Sequence, residues 1–113
     1  MRPTAEQRFL PLLVLVVGVV APDNRLLYYI PKNETKATFC ACVQKTCAAG
    51  SWKPHPPPEL AYRGFICEPG DYSGKHTDTE ARIVCSWYNP STPNSTSVLY
   101  TEEVAEELGA IKG

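Results

Sequence analysis

Phe39-Cys40-Ala41-Cys42-Val43-Gln44-Lys45-Thr46-Cys47 holds three of the chain's five cysteines, and Cys67 and Cys85 follow at wide spacing. Cys40 and Cys42 are separated by one residue. A bridge between them would close a small, strained ring, so each seeks a distant partner. Read as a strand over residues 38–44, the period of two puts Phe39, Ala41 and Val43 on one face and Thr38, Cys40, Cys42 and Gln44 on the other. Both thiols then point at one layer, where they clamp a single strand to two neighbours. Five cysteines allow two bridges and one thiol left over; the pairing among Cys40, Cys42, Cys47, Cys67 and Cys85 stays open, and the fifth thiol is a buried free group, the link of a disulfide-bonded dimer, or the remnant of an ancestral sixth-cysteine pair.

The 113 residues suffice for one domain. Met1 to Arg8 is basic at Arg2 and Arg8, and Phe9 to Ala21 is an unbroken apolar run. That run is short of the ~20 residues that span a bilayer. A basic start, a short apolar run and a small residue at its end read as a secretory signal peptide over residues 1–21, with the mature chain starting near Pro22. Its removal leaves nine Lys and Arg against eleven Asp and Glu. That weak acidity argues against nucleic-acid or anionic-membrane binding, and no second apolar run is long enough to cross a membrane. A mature chain of this size buries a modest core, and exported domains make up the deficit with disulfides, each worth ~2–4 kcal/mol.

Three further stretches read as strands. Arg25-Leu26-Leu27-Tyr28-Tyr29-Ile30 is β-prone and bounded by Asp23-Asn24 and Pro31; with the cysteine stretch it is expected to form a hairpin. Ala61 to Cys67 ends at Glu68-Pro69-Gly70-Asp71, a strong turn signal. In Ala81 to Tyr88, Ile83, Cys85 and Trp87 fall on one face. Between them, Trp52-Lys53-Pro54-His55-Pro56-Pro57-Pro58-Glu59 excludes helix and interior strand and reads as a stiff, extended loop. At the end, Thr101 is placed to cap a short helix, and Val104, Leu108 and Ile111 form a narrow apolar stripe over a tail of residues 101–113. The chain thus divides into a leader (1–21), a stapled β-rich domain (22–100) and a helical tail (101–113). The fold class is small, disulfide-stapled and mainly β, an antiparallel sheet, sandwich or barrel-like, with a short C-terminal α-helix.

Asn33-Glu34-Thr35 and Asn94-Ser95-Thr96 are glycosylation sequons, so Asn33 and Asn94 are expected at the surface. Zinc is the rival reading of the cysteines: Cys42 and Cys47 have tolerable ligand spacing, with His55 or His76 to join them. However, Cys40-Ala41-Cys42 is too tight for the common zinc hairpin, and an exported chain meets oxidants first, so neither metal nor cofactor is expected. No serine-hydrolase elbow, zinc-protease helix or phosphate-cradling glycine loop is present. The polar loop Asp71 to Glu80 gathers Asp71, His76, Asp78 and Glu80, the one grouping a small hydrolase would use.

At Cys40-Ala41-Cys42, Thr46-Cys47, Gly64-Phe65-Ile66-Cys67 and Ile83-Val84-Cys85 the chain resembles the small secreted cysteine-rich proteins of filamentous fungi, many of them candidate effectors that act on a host. The resemblance covers about residues 38–88. It implies a secreted binding module, a small β-sandwich or β-barrel, with no catalytic residues to carry over. The expectation is a non-enzymatic extracellular protein whose partner is an extracellular or host protein, or a carbohydrate. The expected contact surface is Trp52 and His55 in the proline-rich loop, with Asp71, Tyr72 and His76 in the polar loop. The alternatives are a small secreted hydrolase and a cell-wall or carbohydrate-binding component.

Overall fold

A computed structural model of the chain describes residues 24–92 and 96–113; the leader expected over residues 1–21 and the sequon at Asn94 lie outside them. Five strands form one antiparallel sheet: β1 (Leu26–Tyr29), β2 (Ala61–Pro69), β3 (Glu80–Tyr88), β4 (Val98–Leu99) and β5 (Ile111–Lys112). The order is β2-β3-β1-β5. β2 runs along one edge of β3, while β1 and then β4 share the other, β1 opposite residues 80–83 and β4 opposite Ser86 and Trp87. The three stretches read as strands are β1, β2 and β3. The antiparallel sheet expected from the sequence is present as a single layer with helices on one face.

The cysteine stretch is the correction. Residues 36–49 are a helix, α1 (Lys36–Ala49), where a strand over 38–44 was expected, and β1 pairs with β3 and β5 instead of making a hairpin with it. Phe39 and Val43 are four apart. That is two strand periods and also close to one helical turn, so their shared face does not discriminate. The ends decide. Thr35 Oγ1 accepts the Thr38 N–H at 3.1 Å while Thr38 Oγ1 accepts the Thr35 N–H at 3.1 Å, a reciprocal capping box. Gly50 stops the helix in the left-handed conformation (φ 61°), its N–H donating to Thr46 O. Phe39, Val43 and Cys47 form the buried stripe, whereas Ala41, which a strand would bury beside them, is exposed.

α1 lies on the odd-numbered face of β2 and β3, where Phe65, Cys67, Ile83 and Cys85 point. Two bridges fasten it there, Cys40–Cys67 to β2 and Cys47–Cys85 to β3. Their helix ends are seven residues apart, almost two full turns, so both sulfurs leave α1 on the same side. Clamping of one element to two neighbours was expected; the element is a helix, the pair is Cys40 and Cys47, and Cys42 is the thiol left unpaired.

The last residues join the core. Val104 and Ala105 of the second helix, α2 (Thr101–Glu107), are buried. Thr101 does not cap α2: its hydroxyl accepts the Cys85 N–H at 3.0 Å, while Tyr100 N donates to Cys85 O at 2.9 Å. Both bonds prolong the β4 ladder, and the cap position falls to Tyr100, which makes no side-chain bond there. Ile111 leaves the helical stripe for β5, where it is 71% exposed. Residues 101–113 dock on the sheet: Val104 and Ala105 join its core and β5 pairs with β1. Among the described residues no helix is long and apolar enough to cross a membrane.

Candidate functional site

Between β2 and β3 the loop of residues 70–79 is built around one carboxylate. Asp71 N donates to Lys75 O at 2.7 Å, and Gly74 N donates back to Asp71 O at 2.9 Å. Asp71 Oδ1 accepts three hydrogen bonds, from Ser73 N at 2.9 Å, Ser73 Oγ at 2.7 Å and Lys75 N at 2.9 Å. Its other oxygen, Oδ2, lies 2.9 Å from His76 Nδ1, which is also 3.7 Å from Glu80 Oε2. The bonds from Ser73 and His76, then Lys75, hold the Asp71 carboxyl well below the usual carboxylate range. The bond to Asp71 pushes the His76 imidazole up, and the negative charges of Asp71 and Glu80 add to it. Of the residues that a hydrolase would use, Asp71, His76 and Glu80 come together; Asp78 turns away to pair with Lys36 at 3.3 Å. The His76 side chain is 61% exposed, so the group stands on the surface.

The far end of the same loop forms one wall of a groove of about 440 Å³. Asp78 and Thr79 line it on that side, with Thr79 fixed to the end of β1 by Ile30 N donating to Thr79 O at 2.8 Å. The opposite side is apolar: Tyr29 and Ile111, paired across β1 and β5, are 48% and 71% exposed. The turn after β1 closes it with Pro31, Lys32 and Glu34. Among the described residues Glu34 Oε1 is buried there without a hydrogen-bond partner. A concave, mostly apolar surface with a few polar groups is the usual form of a recognition site.

Compared with known families, curated proteins and solved structures, the chain matches none.

The remaining sequence candidates scatter. Trp52, expected on a contact surface, is 2% exposed; it packs on Tyr100 at 5.1 Å and meets Trp87 edge-on at 6.2 Å. Trp87 in turn donates its indole N–H to Cys47 O at 2.9 Å. Pro56 of the proline-rich loop lies against Gly50, beside the Trp87 ring. His55 is exposed and its Nδ1 donates to Gly50 O at 3.1 Å, which ties the loop to the end of α1. Tyr72 is 54% exposed and donates its hydroxyl to Arg25 O at 2.6 Å. Asn33 is exposed, between the groove residues Lys32 and Glu34. Cys47 is consumed by its bridge, so the zinc pairing of Cys42 with Cys47 does not form. Sequence reading missed the groove because Tyr29 and Ile111 lie eighty-two residues apart and meet only through the pairing of β1 with β5.

Proposed function

We propose that the chain is a secreted, non-enzymatic interaction protein, of the kind the fungal effectors represent, and that it contacts an extracellular or host partner through the groove beside the 70–79 loop. The groove carries this reading: Tyr29 and Ile111 are large apolar side chains left exposed side by side, next to polar groups that a stapled scaffold holds in place. Exposed, clustered apolar side chains mark contact surfaces more often than scattered ones do. Two bridges are compatible with export. The hydrolase alternative is less well supported. Ser73 Oγ donates to Asp71 and not to His76, so the base does not activate the hydroxyl beside it. For the carbohydrate alternative, the stacking rings would be Tyr29 and Tyr72, since both tryptophans belong to the core cluster.

A photo-crosslinking side chain placed at position 29 tests the reading, with exposed Ala48 on α1 as the control position. In host extracellular fluid, position 29 is expected to give a discrete adduct that excess unlabelled chain suppresses, and position 48 none. Equal labelling from both positions, or none from either, contradicts the groove as the contact surface.

A further inference from the structure

We propose that Asp71, His76 and Glu80 form a site for a divalent transition-metal ion of the zinc type. The three side chains offer one imidazole nitrogen and two carboxylate oxygens, and their donor atoms all lie within 4.8 Å of one another. His76 Nδ1 is 2.9 Å from Asp71 Oδ2 and 3.7 Å from Glu80 Oε2. In a tetrahedral site with bonds of about 2.0–2.2 Å, neighbouring donors stand about 3.3–3.5 Å apart. The two separations from His76 bracket that value, and the third pair, Asp71 and Glu80, lies within 4.8 Å, so an ion would draw the two carboxylates toward each other.

The imidazole sets this group apart from an ordinary acidic patch and selects among ions. Calcium and magnesium prefer six or more oxygen ligands, whereas one nitrogen and two carboxylates suit zinc, cobalt or manganese, with water completing the sphere. A doubly charged ion also balances the two carboxylates. The donors are positioned in advance. Asp71 Oδ1 is held by three N–H and O–H donors, which leaves Oδ2 facing His76. Glu80 is the first residue of β3, and its N–H donates to His76 O at 2.9 Å. Such supporting bonds hold ligands at the geometry the ion needs. Because Asp78 and Thr79 wall the groove two and three residues beyond His76, an ion here would also fix that wall. The site stands on its own geometry and does not depend on what the groove binds.

The test is calorimetric titration of the full oxidised chain with ZnCl2, repeated with CoCl2, whose visible absorption reports ligand geometry. One ion per chain is expected, with His76→Ala and Glu80→Gln each weakening it by at least ~10–100-fold, the range that loss of even a supporting partner costs. His55→Ala is expected to change nothing. The titration is also run in the Cys42→Ser chain, so that the free thiol cannot be the ligand. Absence of saturation, unchanged wild-type affinity in His76→Ala or Glu80→Gln, or binding that disappears in Cys42→Ser overturns the proposal.

Discussion

Trp52 shows how much a single side chain can carry in a domain of this size. Its ring fills the space between Trp87 and Tyr100, and it is part of the buried cluster that includes Phe39, Val43 and Ile83. Its indole N–H has no partner among the described residues, so its contribution is packing. Removing a buried ring of this kind costs ~3–5 kcal/mol, against a total stability of ~5–15 kcal/mol. Trp52→Ala is therefore expected to lower the denaturant midpoint sharply and, in a marginal domain, to unfold it; an unchanged midpoint would put Trp52 outside the core. Nothing around Trp52 in the sequence reveals this. It stands alone between Gly50-Ser51 and Lys53-Pro54, with no periodicity to assign it a face. The Asp71–His76 pair was more legible, because a loop of ten residues confines its members; the inward role of Asp71 as the organiser of its own loop was not, since that depends on backbone N–H directions.

At the scale of elements, α1 is the part of the fold that was misread and β3 the part that was plain. β3 carries Ile83, Cys85 and Trp87 at alternate positions, with Val84 and Tyr88 also β-prone, a period-two pattern that reads as a strand. The cysteine stretch satisfies both periods through Phe39 and Val43, and its Cys-Ala-Cys spacing draws attention away from the flanks. The discriminating signals were Thr35 and Thr38 ahead of it and Gly50 behind it, a start and a stop fourteen helical residues apart. Gly50 has a second constraint. A Cβ there would come within 2.9 Å of the Trp87 ring while the residue holds φ 61°. Gly50→Ala thus combines backbone strain of ~1–3 kcal/mol with a collision in the aromatic cluster. The expected result is a fall in melting temperature of several degrees with α1 still formed by circular dichroism. A neutral substitution would mean that the helix ends elsewhere.

For the whole molecule, the two bridges tie one helix to the two longest strands and so join the sequence-distant halves of the core. They close loops of 27 and 38 residues, and chain entropy alone makes each worth about 3–4 kcal/mol. That is comparable to the net stability of a domain this small. The stapled, antiparallel architecture was legible from cysteine count, strand patterns and turn residues. The choice of partners was not, because it depends on which helical face Cys40 and Cys47 share and on the register that sets Cys67 beside Ile83 and Phe65 beside Cys85. The groove was illegible for the same reason.

The first measurement is disulfide mapping by mass spectrometry of the chain exported from a eukaryotic host, alkylated before reduction, with fragmentation to separate Cys40 from Cys42. Linked peptides joining Cys40 to Cys67 and Cys47 to Cys85, with Cys42 alkylated and the chain starting near Pro22, are the expected result. Five alkylated thiols, a bridge that includes Cys42, or a retained residue 1–21 segment would contradict a secreted module built on a doubly stapled helix.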